Sequence, residues 1–163
     1  MIALLDANLF VPTWIIDPLL SLAEAGLCEP AWSARVMDEA RLAIMEVRHV
    51  PDVRARGFLD AICRAFPMAM AEDWERFEPD VNLSDPNDGH VVAAARRAGA
   101  ETIVTFNLKD FPADELSRYG LHAQSPDVFL TSVFDAHPEE AMDAMRRLVS
   151  SCLLYTSDAA DEE

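Results

Sequence analysis

The chain opens with Met1-Ile-Ala-Leu-Leu-Asp6, a continuous apolar run closed by an acid. A run this short, with no polar alternation, predicts a strand buried on both faces, as in a parallel sheet. Residues 13–26 shift to helical spacing, with Gly26 as the stop and Asp17-Pro18 as a second start inside the helix. Leu27 to Ala31 predicts a weak second strand. Trp32-Ser33-Ala34-Arg35-Val36 then opens a helix with Ser33 suited to the N-cap. Pro51 opens another that runs to about Phe66, with Val53, Phe58, Leu59 and Ile62 as its apolar stripe, and Pro67 breaks it. Residues 68–77 read as a short helix or as a strand followed by a helix, with Met68, Met70, Trp74 and Phe77 assigned to the core. Pro79 to Leu83 is a loop leading to Ser84-Asp85-Pro86-Asn87-Asp88, which heads a small-residue apolar helix. After Gly99, Glu101 to Thr105 predicts a buried strand. A short helix (Ala113 to Tyr119), an edge strand (Leu121 to Gln124) and helices near 126–134 and 138–150 follow. Strands alternating with helices indicate an α/β sandwich around a parallel sheet.

Composition adds bounds to that picture. The chain has 163 residues, 51% of them hydrophobic, enough for one globular domain with a proper core. No apolar run approaches the roughly 18 to 20 residues that span a bilayer, and no signal-peptide pattern precedes the first strand, so no membrane association is expected. Cys28, Cys63 and Cys152 are too few and too scattered for a disulfide framework or a zinc site, which predicts a reducing, cytoplasmic setting. The formal net charge is −16, unusual for a protein that handles nucleic acid. Residues 152–163 resemble a translated sequencing-library adapter, and this segment carries four of the acids with no Lys or Arg. The expected organisation is therefore a domain over 1–151 and a non-native tail over 152–163. The domain itself remains strongly acidic, so any nucleic acid must be held through bound cations, a local Arg patch or a partner's positive charge.

The candidate chemistry lies in the acids. Asp6 follows the first strand, and Asn107 with Asp110 follows the strand ending at Thr105, so both groups fall on the carboxyl edge where open α/β sheets place ligands. Asp85 and Asp88 also read as a capping box with Asp in place of Glu, a purely structural role that stabilises a helix by roughly 0.3 to 1 kcal/mol per acid. Asp6 has a similar bland reading as a turn cap, and Glu39 taken alone reads as a solvated helix residue. Several carboxylates converging on one edge repel one another unless a cation sits among them. Oxygen donors without a His or Cys cluster favour Mg²⁺ or Mn²⁺ over Zn²⁺. His49, His90, His122 and His137 are dispersed, and His90 is not assigned a ligand role.

Four short pieces in order carry a resemblance: Leu5-Asp6-Ala7-Asn8, Ser33-x-x-Val36-x-x-Glu39, Asp85-Pro-Asn-Asp88-Gly-His-Val-Val-Ala-Ala-Ala, and Thr105-Phe-Asn107-Leu-Lys-Asp110-Phe-Pro. Together they resemble a PIN-domain ribonuclease, the family that contains VapC-type toxins, over nearly all of residues 1–150. The resemblance implies a three-layer α/β/α sandwich with a central, mostly parallel sheet. It implies that Asp6, Glu39 and Asp88 are the catalytic metal-binding acids, with Asp85 and Asp110 as further candidate ligands and Asn8, Ser33, Thr105 and Asn107 orienting the site. Many members carry Asp where this chain has Asn107, so either Asn107 or Asp110 fills the fourth acid's position. One or two Mg²⁺ or Mn²⁺ ions, an RNA substrate, a cognate antitoxin and a homodimer are the implied cofactor and partners. Relatives that continue past the last helix carry a basic segment, of which Arg146 and Arg147 are the start here. The function so implied is metal-dependent endoribonuclease activity, as the toxin of a type II toxin–antitoxin pair. Two other readings stand beside it: a PIN-like module that binds RNA or protein without cutting, and a phosphatase of the haloacid-dehalogenase type. The latter needs an acid two residues after the first Asp, where this chain has Asn8.

Overall fold

The protein is described by a computed structural model that covers the backbone of residues 1–160 and the side chains of residues 1–152. Most of the adapter-like segment therefore lies outside the described side chains. Four short strands, β1 (Ile2–Leu5), β2 (Glu29–Ala31), β3 (Thr102–Val104) and β4 (His122–Gln124), form one sheet in the order β2-β1-β3-β4. Every pairing is parallel, with Leu4 opposite Ala31 on one side and Ile103 on the other. Among the described residues, seven α-helices connect and cover the strands: α1 (Thr13–Glu24), α2 (Ala34–Arg48), α3 (Asp52–Ala65), α4 (Gly89–Ala98), α5 (Ala113–Leu116), α6 (Pro126–Ala136) and α7 (Pro138–Ala160).

The pleat separates two cores. Ala3, Leu5 and Val104 face a layer built from α1, α2, α3, α6 and α7, where Phe10, Ile16, Trp32, Ile44 and Phe129 are buried. Leu4, Ala31 and Ile103 face the opposite layer, in which Val91, Val92 and Ala95 of α4 pack with Trp74, Phe111 and Leu116. Both faces of the two central strands are thus dry, which is why β1 and β3 read as largely apolar runs. The small residues of α4 let that helix lie close against the sheet. Cys28 and Cys63 are free thiols, and no helix among the described residues is long and apolar enough to cross a membrane.

Three local expectations need correction. α1 runs unbroken through Pro18, because Pro18 falls early in the helix and deprives only the Trp14 carbonyl of a donor, while Ile15, Ile16, Leu19 and Leu22 anchor one continuous buried face. Val53 is exposed rather than part of the α3 stripe, since Ala55, Leu59 and Ile62 are the buried positions and Val53 sits about 160° around the helix from Ala55. The ambiguous stretch 68–77 forms a single parallel bridge, Met70 to Trp32, followed by a 3₁₀ helix over Trp74–Asp80. Ala69 and Ala71 point inward around that bridge, which with a period of two leaves Met68 in solvent and not in the core.

Strand order decides where a ligand can sit. From β1 the chain crosses to β2 on one side, whereas β3 lies on the other side and leads away to β4. The connections diverge at the carboxyl ends of β1 and β3, and this topological switch point opens a crevice.

Candidate active site

Asp6 is the first residue beyond β1, tied to the sheet by its N–H donating to the Val104 carbonyl at 3.1 Å. Its carboxylate is buried and divided in its duties. Oδ1 accepts from the Ala7 N–H at 2.8 Å and so caps the 3₁₀ helix Ala7–Phe10, while Oδ2 accepts from Thr105 Oγ1 at 2.8 Å and from Asn8 Nδ2 at 3.3 Å. Thr105, fully buried just past β3, also accepts from Asn8 Nδ2 at 3.2 Å and from the Asn107 N–H at 3.0 Å. Asn8 Oδ1 in turn accepts from the Phe106 N–H at 3.4 Å. One network therefore stitches the two carboxyl ends that form the crevice. Burial raises the Asp6 pKa above the ordinary carboxylate range, against the Thr105 and Ala7 hydrogen bonds that lower it, and the Asp110 charge adds to the rise.

Glu39 arrives from α2, whose N-terminus is capped by Ser33 Oγ accepting from the Val36 N–H at 3.1 Å. Ser33 thus acts on the helix that carries Glu39. Glu39 Oε1 lies 2.9 Å from His90 Nε2 and 3.7 Å from Arg35 Nε. Arg35 also reaches Glu78 at 3.6 Å. The Glu39 pKa is raised chiefly by burial, opposed by Arg35 and reinforced by the charges of Asp6 and Asp88.

The Asp85–Asp88 pair divides in two. Asp85 is an exposed cap: its Oδ1 accepts from the Asn87 N–H at 2.9 Å and starts the 3₁₀ turn Pro86–Asp88. Ser84, just before it, hydrogen-bonds Glu115 through its hydroxyl and its N–H. Asp88 stands at the junction of that turn with α4 and its side chain makes no capping hydrogen bond, so the capping box does not form. Its pKa is pushed up to about 6, by burial first and then by the charges of Asp110, Asp85 and Asp6. Asp110 closes the 3₁₀ turn Leu108–Asp110, and Asn107 is exposed and engages Thr105 through its backbone.

Asp6, Glu39, Asp85, Asp88 and Asp110 therefore act on one another electrostatically across the switch-point crevice. As they stand, no three His, Cys, Asp or Glu side chains among the described residues close into a metal cage. The donor set nonetheless suits a hard cation. Mg²⁺ keeps several of its waters and needs only one or two direct carboxylates, and here every facing acid gains from a nearby positive charge.

The sequence reading passed over His90. It is 1% exposed, its ring meets Trp74 edge-on at 6.0 Å, and its pKa is lowered to about 4 by burial and by Arg35. The imidazole is neutral, and because a carboxylate can only accept, Nε2 carries the proton that Glu39 receives. The available signal was its position two residues after Asp88, on the buried side of α4.

Thr105 offers a direct check on the network. Thr105→Val removes the donor to Asp6 and the acceptor for Asn8 and Asn107 at nearly constant volume, so affinity for Mn²⁺ should fall about 10- to 100-fold, with Thr105→Ser retaining most of it. Calorimetric titration of the three proteins reads the difference, and equal affinities would remove Thr105 from the site.

The family model described as "PIN domain" matches residues 3–109, which contain Asp6, Glu39, Asp85 and Asp88. The chain belongs to the PIN domain family. Over 58 residues the chain is 52% identical to a Mycobacterium tuberculosis (strain ATCC 25618 / H37Rv) protein named "Putative ribonuclease VapC50". That match covers 36% of this chain and 34% of the relative, so it spans about a third of VapC50's length. A solved structure, VapBC2 from Rickettsia felis bound to a DNA fragment from their promoter, superposes with a TM-score of 0.53 at 19% identity. It covers 77% of this chain and 98% of the other, and supports the PIN-like three-layer α/β/α architecture.

Proposed function

We propose that this PIN domain is a metal-dependent endoribonuclease, acting as the toxin partner of an antitoxin in the cytoplasm. The observation that carries the reading is the approach of Asp6, Glu39 and Asp88, from three separate elements, to the switch-point crevice, where the charges of Asp6 and Asp88 raise the Glu39 pKa and the charge of Asp6 raises that of Asp88. VapC50's name as a ribonuclease and the VapBC2 likeness agree with it. In this reading residues 1–151 are the nuclease domain and 152–163 an adapter-derived tail.

Asp6, Glu39 and Asp88 would hold Mg²⁺ or Mn²⁺, with Asp85 and Asp110 at its margin. Bound there, the ion supplies charge neutralisation at the phosphate oxygens and acidifies water for attack on phosphorus. The chain's own residues do the positioning. Thr105 and Asn8 fix the rotamer of Asp6, His90 fixes Glu39, and the backbone turn at Pro86–Asp88 presents the Asp88 carboxylate without committing it to a cap. Asn8 sits where a haloacid-dehalogenase-type phosphatase requires an acid, and its amide is spent on the network, which disfavours that alternative.

The open arrangement of the acids is the observation that favours the second reading, a PIN-like module that binds without cutting. Titrating the chelator-treated protein with Mn²⁺ and then incubating it with a single-stranded RNA separates the two. The proposal expects Mn²⁺ binding and cleavage that returns with the metal. Binding of RNA with neither would assign the inert module.

A further inference from the structure

We infer that Trp14 and Phe106 form a stacking platform for an unpaired base of single-stranded RNA beside the acidic crevice, a subsite that rests on the ribonuclease reading above. Trp32 and Trp74 are buried in the two cores, but Trp14 is 70% exposed and its neighbour Phe106 is 43% exposed. Their ring centroids are 6.5 Å apart with planes inclined at 56°, so the rings are splayed rather than stacked on each other. Large aromatic surfaces left in water without a packing role mark interaction sites.

The position of the pair selects the occupant. Phe106 directly follows Thr105, and its N–H meets Asn8 Oδ1, while the same Asn8 amide reaches Asp6 Oδ2. Trp14 lies in the first turn of α1, which follows the 3₁₀ helix that Asp6 caps after Val11 and Pro12. Phe106 thus leaves the carboxyl end of β3 one residue beyond the carboxylate network, and the ring contact places Trp14 beside it. A phosphate-tracking groove is poorly suited to a chain of net charge −16, so affinity for RNA must draw on contacts that need no protein cation. Stacking on aromatic faces is such a contact, and it requires a base free of its duplex.

The test uses the full chain carrying Asp88→Asn, so that RNA is bound and not cut. A single-stranded oligoribonucleotide should quench the emission of exposed Trp14, and a duplex of the same sequence should not. Adding Trp14→Ala should weaken single-strand binding about 5- to 150-fold, the range for one stacked base. Phe106→Ala should act in the same direction, and Trp14→Phe, which keeps a ring face, should recover most of the affinity. Unchanged RNA affinity in Trp14→Ala overturns the platform while leaving cleavage by the parent, and hence the ribonuclease reading, intact. Altered self-association by light scattering with unchanged RNA affinity overturns it in favour of a protein contact. A parent that neither binds nor cuts RNA overturns both.

Discussion

Asp88→Asn should lower metal-dependent RNA cleavage by about 100-fold or more and, with metal chelated at pH 7, leave the protein about 1 kcal/mol more stable than its parent. The two effects share one cause. Asp88 sits among Asp110, Asp85 and Asp6, and burial together with those charges pushes its pKa from 3.8 up to about 6. The native state then binds a proton more tightly than the unfolded chain does, so stability falls as pH rises from about 4 to 6, and the deficit is fully present above that window. The shift corresponds to roughly 3 kcal/mol at 1.36 per pH unit, and solvent screening of this partly exposed side chain reduces it to about 1 kcal/mol. Asparagine removes the charge and with it the deficit. Loss of one electrostatic group at a reacting phosphate supplies the scale of the activity change. Urea unfolding at pH 7 and pH 4 measures the first effect: the advantage of the variant should vanish at pH 4, where the Asp88 of the parent is protonated. Added Mn²⁺ should reverse the order at pH 7, because only the parent gains binding energy from the ion. A variant less stable than the parent in chelator would mean that the Asp88 carboxylate is structural, and undiminished cleavage would take it out of the site.

Asp6 makes the contrast. It has the same kind of raised pKa, but its carboxylate accepts from Ala7, Thr105 and Asn8. An amide in its place would set an N–H₂ group against donors at Oδ2, so Asp6→Asn disturbs the fold as well as the charge. Asp88→Asn is the cleaner variant.

What the sequence disclosed follows the same division between local and distant causes. β1 and β3 were legible because a strand buried on both faces writes itself as an uninterrupted apolar run, and the acids at their ends follow from the rule for parallel sheets. The split of Asp85 from Asp88 was not decidable from residue types, since both suit a helix start. It depends on a 3₁₀ turn that consumes Asp85 as its cap and ends at Asp88. Met68 and Val53 were misplaced because an apolar residue next to an element end carries no information about which side it faces. Glu39 was legible through family resemblance alone. Its own surroundings on α2 allow either face, and what fixes it is a side chain on α4, an element distant in sequence whose docking no local periodicity encodes.

That side chain carries the second large expectation. His90→Phe should keep the protein folded within about 1 kcal/mol of the parent and yet lower Mn²⁺ affinity and RNA cleavage about 10- to 100-fold, the usual effect of removing a group that orients a metal ligand. Phenylalanine fills the same buried place against Trp74 and removes Nδ1, a buried nitrogen with no hydrogen-bond partner among the described residues, so packing is maintained and an unsatisfied polar atom is lost. What disappears is the 2.9 Å donor to Glu39, which leaves that carboxylate free to turn toward Arg35, already 3.7 Å away. His90→Gln should behave in the opposite way. Its amide nitrogen can take the place of Nε2 as donor, so affinity and cleavage recover toward the parent, while a flexible polar chain in a dry pocket costs more stability than the aromatic ring does. Thermal unfolding, Mn²⁺ calorimetry and cleavage rates for the two variants test the crossing. If His90→Phe keeps full metal affinity, the imidazole serves only to fill space, and the hydrogen bond to Glu39 is incidental. If both variants lose stability and function together, packing of α4 against α2 controls Glu39, with no separate part for the donor. The crossed outcome is the one the geometry supports, because a neutral, fully buried imidazole with one nitrogen bare and the other on Glu39 has a single bond to give.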